Sequence, residues 1–141
     1  MQCAIEWDNA NGMLFIAQTD SGYRITMDSA LDSHQHLAAS PMELLLSGAG
    51  GCAASNVVVI LKHSQQDISR CLVNITAEMN STHPKVFTHI HFHFTVIGKA
   101  LEAHIVNRAA KRAHDKYCSA IAMLEKTATI SYSVSIEETH S

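Results

Sequence analysis

The sequence predicts an α+β fold, and three features of the chain lead to that class. Residues 40–63 form one long apolar stretch with helical character, and residues 86–97 alternate between polar and apolar side chains as a half-buried strand does. The other strand-like runs are grouped before and after the helix, which is typical of α+β chains. With 141 residues, 47% of them hydrophobic, the chain is long enough for a real core, so we expect residues 1–141 to form a single domain.

Three short strand-like runs open the chain. They cover residues 2–7, 13–18 and 23–27 and are separated by turn-forming Asp, Asn, Ser and Gly residues, which predicts a three-stranded antiparallel meander. Residues 28–39 have no clear periodicity, and we expect an irregular loop of the kind that often borders a site. The charged and histidine residues of this loop are Asp28, Asp32, His34 and His36.

The helix predicted over residues 40–63 has a strong start signal. Ser40 is a favourable N-cap, Pro41 suits the first helical position, and Glu43 completes a capping box three residues after the serine. From position 44 to position 61, apolar side chains occupy nearly every face of the helix. The pattern predicts a helix that is buried on all sides and lies at the core.

Three glycines interrupt this helix just before Cys52. Each costs about 1 kcal/mol relative to alanine in a helix interior, so helix stability does not explain them. Either a neighbouring element packs closely there, or the surface beside the thiol has to stay accessible. The three are Gly48, Gly50 and Gly51.

The second half of the chain contains strands on both sides of further helices. Residues 68–79 and 86–97 are predicted strands, residues 100–116 have the spacing of an amphipathic helix, and a shorter apolar helix follows over 120–126. Residues 127–137 alternate again and predict a closing strand. The expected order is therefore β-β-β-α-β-β-α-α-β.

Composition and charge exclude several classes of partner. The net charge is −3 with 10 Lys and Arg residues and no basic run, so we expect no nucleic acid as partner. The apolar stretch over 44–61 carries three glycines and polar residues, which favours a buried helix over a membrane span, and the N-terminus lacks the pattern of a secretory signal. We expect a soluble cytoplasmic protein with no membrane contact. Its four cysteines, which include no CxxC pair, should be thiols at rest.

Cys52 and Cys118 are the candidates for chemistry. Cys52 is either a small buried hydrophobe, the usual fate of a free cysteine on an apolar helix, or a reactive thiol beside the glycines. Cys118 lies at the predicted start of a short helix, where amide N–H groups and the helix dipole favour the thiolate and so should raise its reactivity. If the two meet, a peroxide could oxidise one to a sulfenic acid, which would condense with the other to a disulfide.

The other cysteines and the histidines have simpler interpretations. Cys3 and Cys71 fall among apolar neighbours in predicted strands, so we expect both to pack in the core. Three histidines with the His-x-His spacing of some metal sites share one face of the strand 86–97, but a solvated polar face explains their alternation, and we predict no metal and no cofactor. These histidines are His89, His91 and His93.

Two motifs together resemble the OsmC/Ohr family over nearly the whole chain. The first is SPMELLLSGAGGC, the start of a long helix that carries one cysteine, and the second is HDKYCSAIAMLEK, which brings another cysteine about 65 residues later, before a closing strand. The resemblance implies thiol-dependent hydroperoxide reductases built as an intertwined α+β homodimer. In that fold an antiparallel, strongly curved sheet surrounds long central helices, and the two subunits share the active sites.

The same resemblance implies roles for individual residues. Cys52 would be the peroxidatic thiol and Cys118 the resolving one, with the loop before Ser40 closing over the pocket and a thiol reductant regenerating the dithiol. Members place a glutamate directly after the helix-starting proline, where this chain has Met42, with Glu43 one residue later. They also send an arginine from the N-terminal region toward the thiolate, and Arg24 is the one arginine before the helix. The chain thus resembles a divergent, YhfA-type branch, with Glu43 and Arg24 as secondary site candidates.

Three functions are open at this stage. The first is an organic hydroperoxide reductase that uses Cys52 and Cys118, with apolar pocket walls formed by Met42, Leu45 and Leu46. The second is a non-catalytic binding or redox-sensing protein that holds a small apolar or thiol-reactive ligand in the same pocket. The third, ranked last, is a metal-binding dimer built on the histidine strand.

Overall fold

The structure, a computed structural model, describes residues 1–30 and 36–139. These residues form two compact units, Met1–Ser47 and Gly48–Ser141. The long helix α1, Pro41–His63, begins in the first unit and ends in the second. Both units combine strand and helix, and the α+β class predicted from the sequence is confirmed.

The first unit contains the predicted meander. Its strands are β1 (Cys3–Asp8), β2 (Leu14–Thr19) and β3 (Arg24–Asp28), and each pairs antiparallel with the next in the order β1-β2-β3. The two connecting turns each contain a glycine with positive φ, 63° at Gly12 and 94° at Gly22, a conformation that other residues rarely adopt. The two turns therefore lie at the positions predicted from the sequence, and they set where each strand of this sheet ends and the next begins.

Asp28, expected in the loop, is instead the last residue of β3 and is buried. Its carboxylate accepts hydrogen bonds from the Leu37 N–H at 3.0 Å and from the Ala30 N–H at 2.9 Å. These two donors lower the pKa of Asp28, because they stabilise its charged form. His36 is exposed, whereas the loop residues Asp32 and His34 lie outside the described residues.

The second unit is built on a sheet of three longer strands. They are β4 (Asp67–Met79), β5 (Phe87–Lys99) and β6 (Thr129–Glu138), in the order β4-β5-β6. The pair β4–β5 is antiparallel, as expected. The pair β5–β6 is parallel, so the expectation of a purely antiparallel sheet is wrong for the last strand.

The parallel pairing follows from the helices that lie between β5 and β6. Helix α2 (Ala103–Arg112) leads directly into a π-helical turn, Ala113–Tyr117, and helix α3 (Ser119–Leu124) comes next. Together they return the chain to the end of the sheet at which β5 began, as a crossover connection must. The helix predicted over 100–116 is thus an α-helix that widens into a π-helix.

The core of the second unit is apolar and closely packed. Alternate residues of β5 are almost fully inaccessible, and α2 and α3 contribute small and branched side chains to the buried set. The buried residues of α1 occupy a single face, at Ala49, Gly50, Ala53, Val57 and Leu61. On other faces Leu45 is 54% exposed and Val59 is 52% exposed, so in the single chain the prediction that α1 is buried on all sides is wrong.

By length and by its mean hydropathy of 1.9, α1 could also cross a membrane, but core helices of water-soluble proteins share these properties.

The glycines of α1 serve different purposes. Gly50 packs against β4, where an added Cβ would lie 2.7 Å from Ile75 Cδ1 and 3.4 Å from Val73 Cγ1. A Cβ at Gly48 or Gly51 would meet nothing within 4 Å. The explanation by close packing therefore holds at Gly50, while the other two glycines border open space in the single chain.

Candidate functional site

Helix α1 and the start of α3 bring Cys52 and Cys118 into contact. Cys118 is the N-cap of α3, and its sulfur accepts a hydrogen bond from the Ile121 N–H at 3.5 Å. The Cys118 N–H in turn donates to the Ala113 carbonyl at 3.0 Å, which closes the π-helical turn. Local backbone bonds on both sides therefore fix the position of Cys118. π-Helical turns of this kind occur frequently at functional sites.

Three groups of this region lie close enough to the sulfur of Cys52 to stabilise its thiolate. The Ala120 N–H makes the strongest contribution and lowers the pKa of the Cys52 thiol, and the Cys118 thiol and the Ser119 N–H act in the same direction. Burial opposes them only in part. Because the first N–H groups of a helix have no partner within it, they are free to stabilise a thiolate.

The sulfur of Cys118 is in the opposite situation. Its residue is 2% exposed, and this burial raises the pKa of the Cys118 thiol, because desolvation penalises the charged form. The neighbouring Cys52 raises it further. The amides of Ile121 and Ala120 at the helix start do lower the pKa of Cys118, but burial outweighs them. The expectation that Cys118 is the activated thiol is therefore wrong, because Cys52, which the amides of Ala120 and Ser119 also reach, has the lowered pKa.

Two polar side chains one turn beyond Cys52 bind its backbone rather than its sulfur. The Ser55 hydroxyl and the Asn56 side-chain amide each donate to the Cys52 carbonyl oxygen at 2.9 Å. Ser55 and Asn56 are therefore not available to the thiol, and the groups that act on the Cys52 sulfur are those near the start of α3. The amides of Ser119 and Ala120 are backbone groups, so the identity of their side chains does not mark them as part of a site. In the sequence they are indicated by the helix start predicted after Cys118.

The two secondary candidates, Glu43 and Arg24, lie in the first unit. Glu43 forms the predicted capping box: its carboxylate accepts from the Ser40 N–H at 3.0 Å, and its own N–H donates to the Ser40 hydroxyl at 3.1 Å. The Ser40 N–H lowers the pKa of Glu43. Arg24 is the exposed first residue of β3 and faces Gln18 of β2 in the sheet register. The structure thus joins the two cysteines in one site and gives Glu43 a capping role.

The histidines of β5 take part in hydrogen bonds with β6. His91 bridges Ser131 at 2.7 Å and Ser133 at 2.8 Å, and His93 bridges Ser133 at 2.6 Å and Ser135 at 3.0 Å. We call these five side chains the His–Ser ladder. It occupies the ring nitrogens of both histidines, on a face of the sheet opposite to the buried one.

The remaining predicted residues lie outside the dithiol site. His89 pairs with Glu78 at 3.3 Å on the surface. Among residues 1–30 and 36–139, no three His, Cys, Asp or Glu side chains are grouped so that they could hold a metal ion. Cys3 is exposed, so the expectation that it packs in the core is wrong, whereas Cys71 is partly buried and burial raises the pKa of its thiol.

Comparison with known proteins agrees with this architecture. A family model described as OsmC-like protein matches residues 33–133. Protein YhfA of Escherichia coli strain K12 is 40% identical over 136 residues, which cover 96% of this chain and 98% of YhfA. Among solved structures, an OsmC-like protein from Mycoplasma pneumoniae has a TM-score of 0.83 at 16% identity and covers 96% of each chain. An organic hydroperoxide resistance protein from Elizabethkingia anophelis has a TM-score of 0.73 at 13% identity and covers 97% of each chain.

The last two likenesses concern the fold alone, since their sequence identities are low. The family match spans most of the chain and includes both cysteines of the dithiol site, and the identity with YhfA extends over nearly the full length of both proteins. The chain therefore belongs to the OsmC-like protein family.

Proposed function

We propose that this protein is a thiol-dependent hydroperoxide reductase in which Cys52 is the peroxidatic and Cys118 the resolving thiol. The observation that carries the proposal is the juxtaposition of the Cys118 thiol and the Cys52 sulfur, together with the opposite pKa shifts of the two groups. A peroxidatic thiol has to be a thiolate, and a resolving thiol has to lie next to it and stay protonated until it is needed. The pair meets both requirements.

The reaction divides into two balanced steps. In the first, the Cys52 thiolate attacks the terminal oxygen of a hydroperoxide, the O–O bond breaks, and Cys52 becomes a sulfenic acid while the alkoxide takes up a proton and leaves as an alcohol. In the second, the Cys118 sulfur attacks the sulfenic sulfur and expels water, and a Cys52–Cys118 disulfide forms. An external dithiol then reduces the disulfide by thiol–disulfide exchange. Two electrons pass from that dithiol to the peroxide.

The amides of α3 provide the electrostatic stabilisation that the family resemblance assigned to an arginine and a glutamate. The N–H groups of Ala120 and Ser119 point at the Cys52 sulfur and lower its pKa without a cationic side chain. Backbone donors of this kind are held in place before the reaction begins, so they need no reorganisation. The Glu43 carboxylate is occupied in capping α1. The two amides therefore support a thiolate at Cys52 without help from that side chain.

We further propose a cytoplasmic homodimer that acts on organic hydroperoxides in antioxidant stress response. The exposed apolar side chains Leu45 and Val59 of α1 support the dimer, because a second copy could cover them. Val59 lies seven residues after Cys52, on the same face of the helix. Its apolar side chain favours an organic hydroperoxide over hydrogen peroxide as substrate.

Single cysteine variants test the proposal. Cys52→Ser should abolish peroxide consumption. Cys118→Ser should permit one turnover per subunit and trap a sulfenic acid at Cys52, and because serine is also a good N-cap, the start of α3 should be preserved. Cys71→Ser, which removes a thiol outside the site, serves as the matched control and should retain full activity. Peroxide consumption that is equal in the Cys52→Ser and Cys118→Ser variants would contradict the assignment.

The second candidate is a binding or redox-sensing protein that uses the same dithiol to anchor or sense a ligand. The capping role of Glu43, together with Met42 at the position where the family resemblance places a glutamate, favours it. The two candidates differ in what an organic hydroperoxide does when an excess of an external dithiol is present. Peroxide consumption over many turnovers supports the enzyme, whereas a Cys52–Cys118 disulfide without sustained consumption supports a redox sensor. Four intact thiols support the binding protein.

A further inference from the structure

The groups that act on the Cys52 sulfur all belong to one loop. It runs from the π-helical turn through α3 to the start of β6, and it carries the Cys118 thiol and the amides of Ser119 and Ala120. We call residues 114–130 the α3 loop. A contact that fixes the base of this loop also fixes the position of all three groups.

His114 closes the base of the α3 loop. Its Nε2 atom lies 3.4 Å from the carbonyl oxygen of Ile130, 16 residues later in the chain. Ile130 is part of β6 and pairs there with Ile90 of β5, so the contact ties the π-helical turn to the sheet. The imidazole also packs against the Tyr132 ring, with the two centroids 5.2 Å apart and the planes tilted by 40°. We call the contact between His114 and the Ile130 carbonyl the His114 clamp.

The other ring nitrogen of His114 faces a carboxylate. Nδ1 lies 2.7 Å from the Asp115 carboxylate, and the His114 side chain is only 21% exposed. The titratable side chains that face the ring are thus Asp115 of the same turn and Tyr132 of β6. A carbonyl and a carboxylate can only accept hydrogen bonds, so each ring nitrogen needs a proton to bond its neighbour.

The protonation state of His114 therefore decides how many of these two bonds form. The imidazolium has two N–H groups and makes both bonds, whereas the neutral ring has one N–H. The bond to Asp115 is shorter and has a charged acceptor, so the neutral ring keeps that bond and gives up the Ile130 carbonyl. The His114 clamp is thus a property of the protonated ring.

We propose that His114 is a positioning residue for the dithiol site, which in its protonated form holds the base of the α3 loop and keeps the loop amides and the Cys118 thiol directed at the Cys52 sulfur. The proposal deepens the hydroperoxide reductase function and rests on it for its role in a reaction. The coupling between His114 and the Cys52 thiolate itself requires no peroxide. As the pH falls through the imidazole titration, the clamp should form and the support of the thiolate should increase.

Alkylation of Cys52 by iodoacetamide tests this coupling in full-length protein. At about pH 5.5, below the ordinary imidazole pKa of about 6.5, His114→Phe should slow the reaction at least about threefold, as expected for the loss of one hydrogen bond. Phenylalanine keeps a ring against Tyr132 but has no donor. His114→Gln keeps an uncharged N–H donor and should restore most of the wild-type rate.

His104→Phe is the matched control. His104 is exposed on α2 and pairs with Glu102 at 3.7 Å, outside the α3 loop. The same substitution there should leave Cys52 alkylation as in the wild-type protein. Peptide mass spectrometry identifies the labelled cysteine, and thermal unfolding shows whether each variant is folded.

Amide NMR separates a clamp that depends on pH from a ring that only packs. In the Cys52→Ser protein, where titration of that thiol does not contribute, the Ser119 and Ala120 amide signals should move with the same midpoint as the His114 ring signals. In the double variant Cys52→Ser, His114→Gln they should stay constant over the same pH range. This comparison does not use His114→Phe, so it decides the question even if that variant fails to fold.

Each of three results would overturn the proposal. Alkylation of Cys52 at the wild-type rate in folded His114→Phe protein would show that the clamp does not act on the thiolate. Equally slow alkylation in the phenylalanine and glutamine variants, or amide signals that do not follow the ring, would leave His114 with a packing role only. No peroxide enters these experiments, so failure of the proposed enzyme function and failure of the His114 clamp are distinguishable.

Discussion

The thiols of Cys52 and Cys118 lie side by side, and their surroundings shift the two pKa values in opposite directions. The Ala120 N–H lowers the pKa of Cys52, whereas burial raises the pKa of Cys118. The two thiols therefore differ in acidity before any reagent is added.

The first prediction concerns alkylation of the four thiols as a function of pH. Because the pKa of Cys52 is lowered, its thiolate persists as the pH falls below the ordinary thiol value, and its reaction with iodoacetamide should begin at a lower pH than that of Cys118 or Cys71. Burial raises the pKa of both of the latter, so they should need a more alkaline solution. Peptide mass spectrometry of protein quenched along a pH series measures the order. Labelling of Cys118 before Cys52 would contradict the geometry.

The second prediction separates the backbone of Ser119 from its side chain. Ser119→Pro removes an N–H that donates to Cys52, so it should raise the pKa of the Cys52 thiol and slow its alkylation in mildly acidic solution. Proline suits the first position of α3, and the preceding residue, Cys118, has the extended conformation (φ −82°, ψ 105°) that proline favours.

Ser119→Ala is the matched control for this experiment. It changes the same side chain but keeps the N–H, so the pH profile of Cys52 should stay as in the wild-type protein. Equal profiles for the proline and alanine variants, with thermal unfolding unchanged, would show that the Ser119 amide does not act on the sulfur.

Local signals in the sequence were sufficient for most of the fold. The capping box at Ser40 and Glu43 places the start of α1 correctly, because capping depends on residues that are neighbours in the chain. Strand positions agree within a few residues, since alternation and turn residues are local too. The parallel pairing of β6 could not be predicted this way, because it depends on how α2 and α3 return the chain to the sheet.

The sequence offered Cys52 and Cys118 as candidates for one site, but it left open whether they meet and gave the wrong thiol the lowered pKa. The sequence predicts that Cys118 precedes a helix. It does not show that the amides of this helix also reach the Cys52 sulfur, because that depends on how α1 packs against α3. The exposure of Val59 has a similar origin: apolar character around the whole of α1 indicates that its faces can be buried, but not which of them the rest of the chain covers.

The third prediction concerns Gly50, where α1 contacts β4. Gly50→Ala should change the free energy of unfolding by less than about 1 kcal/mol, because the cost of displacing the terminal methyl of Ile75 offsets a gain in helix propensity of about 1 kcal/mol. Ile75→Val removes the Cδ1 atom that lies 2.7 Å from the added Cβ. Urea unfolding of the single and double variants forms a mutant cycle, in which Gly50→Ala should cost less in the Ile75→Val background. Additive effects would show that this contact does not require the glycine.

The fourth prediction concerns the His–Ser ladder between β5 and β6. Ser133→Ala removes two hydrogen bonds, to His91 and to His93, whereas Ser131→Ala removes one. At a net value of about 1 kcal/mol per bond, Ser133→Ala should lower the free energy of unfolding by about 2 kcal/mol and Ser131→Ala by about 1 kcal/mol or less. Both changes replace serine by alanine in the same strand, so differences in strand propensity largely cancel.

Urea unfolding at one protein concentration measures both losses, since any dimer makes stability depend on concentration. A loss at Ser131 that equals or exceeds the loss at Ser133 would mean that the bridging serine does not hold the two histidines, and that the strands associate through their backbone bonds and apolar face alone.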